Sequence, residues 1–144
     1  MMTKIAVVRV RGNIKLKHEI KSALNMLRLY NKNYCAVLEK TPLNLGMIRK
    51  VNNFVTYGEI EDSFFNEIIE KKGEEYKGRE KDVKGKISYG RRYLVHNNKK
   101  YKKYFRLSPP RKGYGRKGTK QHFTRGGALG YRGKKIHQLI KRML

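Results

Sequence analysis

Residues 4–10 read Lys-Ile-Ala-Val-Val-Arg-Val and residues 34–38 read Tyr-Cys-Ala-Val-Leu. The first run is rich in β-branched residues and bounded by Gly12 and Asn13, and the second is a short apolar run of strand length, so both read as buried strands. Between them Ile20, Ala23, Leu24 and Leu27 recur at spacings of three and four, which predicts an amphipathic helix ending near Asn31 and Asn33. Thr41-Pro42 turns the chain, Asn44 is a candidate N-cap, and Met47, Ile48 and Val51 share one face of a second helix. Phe54-Val55-Thr56-Tyr57 follows as a third strand closed by Gly58. Residues 1–60 therefore alternate strand, helix, strand, helix, strand, which predicts an α+β fold, a small sheet with helices packed on it.

Beyond residue 60 the pattern changes. Asp62 or Ser63 is positioned to cap a third helix carrying Phe64, Phe65, Ile68 and Ile69 and stopping at Gly73. Residues 74–100 are mostly charged with few apolar positions and read as an irregular insertion. Tyr104-Phe105-Arg106-Leu107 is a short strand ended by Ser108-Pro109-Pro110, because proline lacks the donor that a ladder needs. Ile136, Leu139, Ile140 and Met143 stripe a basic helix expected to dock on the protein's own core. The whole reads as one domain over 1–144, a core at 1–60 with an α-helical and basic-loop extension at 61–144.

Charge points to the partner. The chain holds 36 Lys and Arg against 11 Asp and Glu, a formal net charge of +25 on 144 residues. A compact state this one-sided repels itself, so an abundant polyanion is the natural counterpart. Residues 101–144 carry 14 basic side chains and no acidic one, Asp82 being the last carboxylate. Between Arg111 and Gly133 seven glycines and seven basic residues share 23 positions, with aromatics interleaved, a composition suited to a loop lying on an RNA backbone. Mutual repulsion predicts that 111–133 is disordered without RNA.

Other chemistry finds little support. Gly113-x-Gly115-x-x-Gly118 matches a dinucleotide fingerprint as a string, but a Pro-Pro pair precedes it, no periodic helix follows, and no acidic residue remains to hold a ribose. Gly130-Tyr131-Arg132-Gly133 resembles the GxxG turn of KH domains, although a glycine-rich coil stands where that fold needs a helix. His18, His96, His122 and His137 are scattered without metal-ligand spacing. Cys35, the only cysteine, sits in an apolar strand where a thiol packs as a small hydrophobe, and a lone thiol suits a reducing compartment. Ile5 to Val8 is too short for a signal peptide or a membrane span. No catalytic set, cofactor, metal, membrane or small-molecule substrate is expected.

The strand Ile5 to Val10, Ala23-Leu24-x-x-Leu27-Arg28-Leu29, Lys32-Asn33-x-Cys35, Thr41-Pro42 and Gly46-Met47-Ile48-x-Lys50-Val51 together resemble the universal large-subunit ribosomal protein family numbered thirty. Phe105-Arg106-Leu107-x-Pro109-Pro110-Arg111-Lys112-Gly113 and residues 126–133 are similar to its long archaeal form, whose eukaryotic counterpart is numbered seven. The resemblance spans nearly all of the chain except about 74–100. It implies an antiparallel three-stranded sheet with two helices, loosely ferredoxin-like, in a structural RNA-binding component of the large subunit, near the 5S ribosomal RNA and beside neighbouring ribosomal proteins. Where the family commonly has arginine before Gly-Met this chain has Leu45, with Arg49 and Lys50 one turn later as substitutes for the charge.

The functional expectation is a non-catalytic cytoplasmic assembly protein of the large ribosomal subunit that neutralises and positions ribosomal RNA. Arg111, Lys112, Arg116, Lys117, Lys120, Arg125 and Arg132 are expected on phosphates, with Tyr114, Phe123 and Tyr131 stacking on bases or sugars. Lys32, Arg49, Lys50, Arg106 and Lys134 complete the candidate RNA-binding set. The alternative is a free RNA chaperone or KH-like regulator. A nuclease would need a metal-binding carboxylate pair that the sequence does not offer.

Overall fold

The structure, a computed structural model, describes residues 3–88 and 90–144; Met1, Met2 and Tyr89, the last inside the segment expected to be irregular, lie outside the described residues. The elements in order are β1 (Lys4–Arg9), α1 (His18–Met26), β2 (Tyr34–Glu39), α2 (Pro42–Lys50), β3 (Val55–Ile60), α3 (Asp62–Lys72), β4 (Tyr93–His96), β5 (Lys99–Lys102), β6 (Tyr104–Arg106), β7 (Gly130–Tyr131) and α4 (Ile136–Met143).

β1 shows why its sequence is apolar without alternation. Ile5 and Val7 point to one face and pack with Ala23, Leu24 and Leu27 of the α1 region and Ile48 and Val51 of the α2 region, while Ala6, Val8 and Val10 point to the other and pack with α3 and α4. A central strand covered on both faces needs hydrophobic residues at every position. β1 lies between β2 and β3, antiparallel to both, which is the three-stranded core that the resemblance implies. The extension widens it to five strands in the order β6-β2-β1-β3-β7, β6 adding antiparallel to β2 and β7 parallel to β3.

Local readings change at the α2 cap, at Gly58 and within residues 74–100. Thr41, not Asn44, caps α2: its Oγ1 accepts from the Asn44 N–H at 3.2 Å, and Pro42 occupies the first turn, where its missing N–H is harmless. Gly58 does not end β3, because the strand runs on to Ile60. It is needed for clearance, since a Cβ there would lie 2.1 Å from the Gly133 carbonyl and 2.9 Å from Ile136. Residues 74–100 are not uniformly irregular. β4 and β5 form a hairpin whose two-residue turn, Asn97-Asn98, has φ of 50° and 63°, values that asparagine tolerates better than most residues and that match the twist of paired strands. Polar contacts hold this hairpin to the body: the Lys102 N–H donates to the Glu74 carbonyl at 2.9 Å, and Lys102 Nζ and Arg106 Nε both bond the Glu74 carboxylate. Burial raises the Glu74 pKa, but those two cations outweigh it and hold the carboxyl below its ordinary value.

Residues 111–133 pack onto the body of the fold. Tyr114, Ala128 and Leu129 join the core cluster on the α3 and α4 side of the sheet. α4 docks as expected, with Ile136, Leu139, Ile140 and Met143 all fully buried, burial worth on the order of 6–12 kcal/mol before entropy is counted.

Candidate nucleic-acid interface

Strand register gathers the cations. Val8 pairs with Cys35, Arg9 with Val55, Tyr34 with Arg106 and Thr56 with Gly130, so the ends of β1 and β6 and the starts of β2, β3 and β7 meet at one end of the sheet. The segments there, 9–13, 31–34, 49–56, 106–113 and 128–131, contain no carboxylate. The opposite end holds Glu39, Glu59 and Asp62, the latter two ion-paired with Lys40 and Lys4. The molecule is thus electrostatically polar along its strands.

The glycine-rich loop is built onto the basic end. Arg142 of α4 donates through Nη1 to the carbonyls of Arg111 and Gly113 at 3.1 and 3.0 Å, fixing its entry. The far limb is pinned by the Phe123 N–H to the Leu129 carbonyl at 2.7 Å and the Ala128 N–H to the Gln121 carbonyl at 2.9 Å. A Cβ on Gly115 would sit 2.6 Å from the Gly127 carbonyl, so here a missing side chain lets the loop cross itself; the glycines are not only for approach to a ligand.

Two of the candidate RNA ligands turn out to be internal parts. Arg132 is 7% exposed, and its Nε donates to Thr56 Oγ1 at 2.8 Å while Nη2 donates to the carbonyls of Tyr114 and Ala128 at 2.9 and 3.0 Å. Burial pushes its pKa down to about 10, aided by the nearby Arg142 and opposed by Tyr114, which still leaves it charged at neutral pH. The Thr56 hydroxyl in turn donates to the Gly130 carbonyl at 3.0 Å. Tyr114 is buried as well, its hydroxyl donating to Asn33 Oδ1, and burial pushes its pKa up to about 12. Phe123 is half-buried beneath Arg132 at 4.8 Å and Lys135 at 5.5 Å, so its ring is already engaged by cations.

The remaining candidates lie on the surface. Arg111, Lys112, Arg116, Lys117, Lys120, Arg125 and Lys134 are exposed, and among the described residues none of them forms an ion pair. Lys32 is exposed next to Asn33, the residue that receives Tyr114, so it stands at the root of the loop. Arg49 and Lys50 are exposed on the last turn of α2, where cations suit the helix dipole, close to Asn52, whose Oδ1 lies beside Gly130. Leu45 packs against the α1 and α2 core cluster and carries no charge to the surface. Tyr131 is 51% exposed, its ring 5.5 Å from Tyr57. Arg106, by contrast, is bonded to Glu74 and its charge is offset. Arg11 was missed by the sequence reading: it reaches the same end, stacked 5.0 Å from the Phe54 ring, and only the register reveals it.

Among the described residues no group of three or more His, Cys, Asp or Glu side chains is placed to hold a metal ion. The Cys35 thiol is fully buried and burial pushes its pKa up to about 12, the opposite of an activated nucleophile. The Gly130–Gly133 turn is an edge strand leading into a single 3-10 turn and α4, with Gly133 seated against Gly58, so it does not present a KH-type clamp.

Comparison with known proteins points to one family. The family described as ribosomal protein L30p/L7e matches residues 5–55. The large ribosomal subunit protein uL30 of Nanoarchaeum equitans is 37% identical, the alignment covering 99% of this chain and all of that protein. The uL30 proteins of Methanopyrus kandleri and Methanococcus maripaludis are 35% and 38% identical, over 94% and 96% of this chain and 100% and 98% of their own.

Proposed function

The chain belongs to the ribosomal protein L30p/L7e family of the large ribosomal subunit, and from that premise we propose that its basic end binds and positions ribosomal RNA without catalysing a reaction. The observation that carries this reading is the set of exposed, ion-pair-free cations between Arg111 and Arg125, held in a fixed shape at an end of the sheet with no carboxylate. Phosphates supply the missing negative charge, and Tyr131 offers an exposed ring for stacking. Arg132 and Tyr114 contribute indirectly, by bracing the loop. We further propose a position near the 5S ribosomal RNA, in the cytoplasm, supported by the family resemblance alone.

The test is a salt titration of binding to large-subunit ribosomal RNA. Each phosphate contact should contribute roughly 0.7–0.9 to the slope of log K against log salt. Replacing Arg116, Lys117, Lys120 and Arg125 by alanine should therefore lower the slope by about 3 with the melting temperature unchanged. An unaltered slope would refute the assignment. Sedimentation with large subunits after a moderate salt wash separates a subunit component from a free chaperone, which would stay at the top of the gradient.

A further inference from the structure

At the other end of β6 from the loop, two cavities meet on a shared wall. One, of about 630 Å³, is lined by apolar residues that include Leu27, Leu94, Phe65 and Phe105 and by the polar side chains of Glu39 and Asn44. The other, of about 360 Å³, is walled by Tyr30, Tyr76 and Tyr104. Both volumes fall in the range of roughly 300–1,000 Å³ typical of ligand sites. Arg28 and Lys103 line both cavities and form the ridge between them, and Arg91 stands beside them on the rim of the larger one.

The ridge is built and short of anions. Arg28 adopts φ of 62°, and its Nη2 donates to the Arg91 carbonyl at 2.9 Å, which fixes the guanidinium over the cavity mouth. Among the described residues neither Arg28, Arg91 nor Lys103 forms an ion pair. Burial lowers the Lys103 pKa, Arg28 and Arg91 lower it further, and Glu39 is the one carboxylate that opposes them. Two other cations at the cavity walls are already offset, Lys4 by Asp62 and Lys102 by Glu74. On the tyrosine side, Tyr104 stacks on Tyr34 with ring centres 5.4 Å apart and meets Tyr30 edge-on at 5.5 Å, leaving Tyr30 41% exposed.

We propose that this ridge is a second RNA contact, which takes one dinucleotide step of a single strand: the bridging phosphate on Arg28 and Lys103, one base in the larger cavity, the next against the exposed ring of Tyr30. The repeating order ring, anion, ring in a polynucleotide matches the order cavity, cation ridge, cavity, and each stacked base is worth about 10-fold or more in affinity. An acidic peptide would satisfy the cations but bring no rings to the two concave walls. The inference rests on the RNA-binding reading above, yet it uses different residues and a different form of RNA.

The test compares two variants of the full chain. Arg28→Asn/Lys103→Met removes the ridge charges, asparagine being tolerant of the positive φ at position 28. Arg116→Ala/Lys117→Ala/Lys120→Ala removes loop charges and leaves the ridge intact. The probe is a fluorescein-labelled uridine decamer, followed by anisotropy across a salt series. The ridge variant should bind about 10-fold more weakly with its salt slope reduced by about 0.7, the share of one phosphate on a single strand, while its binding to duplex ribosomal RNA stays near wild type. In the wild-type protein, 4-thiouridine in the decamer should cross-link to peptides containing Tyr30 or Tyr104. If the ridge variant binds the decamer as wild type does, or cross-links avoid both peptides, the proposal is wrong while the loop reading stands. If a glutamate decamer binds wild type and loses its affinity in the ridge variant, with uridine binding unaffected, the ridge is a protein-docking site and the proposal is again overturned.

Discussion

Replacing Arg132 by methionine separates a structural arginine from an RNA ligand. Methionine keeps much of the length and apolar stem but strands the carbonyls of Tyr114 and Ala128, which accept from Arg132 in a buried site, and removes the donor to Thr56 Oγ1. Each buried orphaned carbonyl costs about 1–2 kcal/mol. Loss of the cation lying 4.8 Å over Phe123 adds about 1 kcal/mol. Together the loss is about 3–5 kcal/mol, a large share of the stability of a chain this size, and lowers the melting temperature by on the order of 10 °C or more. Thermal unfolding by circular dichroism at low salt reads this directly, with proteolysis of residues 111–127 as a second measurement, since the loop should become cleavable before the sheet does. Arg132→Lys should fall between, one ammonium being unable to reach all three acceptors with the geometry of a fork. A methionine variant that melts like wild type while its RNA salt slope drops by about 0.9 would mean that Arg132 contacts phosphate, and the bracing argument would fail.

Two further predictions concern the body of the fold. Gly58→Ala should cost about 3 kcal/mol or more, because its methyl would collide with the Gly133 backbone and with Ile136, whereas Gly46→Ala, in α2 with open space around it, should stabilise by about 0.5–1 kcal/mol; paired thermal melts check both. The Glu74 pKa is depressed in the folded chain, so its contribution is present above the ordinary carboxylate value and lost as pH falls through the folded value. Hydrogen exchange at the Lys102 amide should therefore lose protection on acidification in the wild type, and Glu74→Gln should show no such pH dependence.

What could be read from the sequence was decided by distance along the chain. β1 and β2 are legible because strands covered on both faces leave continuous apolar runs, and α4 because a single stripe of Ile136, Leu139, Ile140 and Met143 has one periodicity. The β4 and β5 hairpin was hidden because one cross-strand pair, Leu94 and Tyr101, reaches the core, and the rest of its support comes from Glu74 and from the ring pair Tyr76 and Tyr93 at 5.2 Å, which leaves too short an apolar pattern to read. Arg132 was read as one more cation in a basic run. Its burial depends on Thr56, 76 positions upstream, and nothing within the run distinguishes it from Arg125. The surface cations were legible as a class from the absence of acids after Asp82, while Arg11, Arg28 and Lys103 needed the strand register to reveal where they gather.

The docking of α4 also bears on how the chain matures. Ala6 and Val8 are synthesised well before one of the helices that cover them, whose residues follow more than a hundred positions later. Until residues 136–143 leave the exit tunnel, that face of the sheet is covered by α3 alone and stays partly open. A product truncated before α4 therefore exposes its own defect to chaperones and proteases, and chains read through α4 present that face closed.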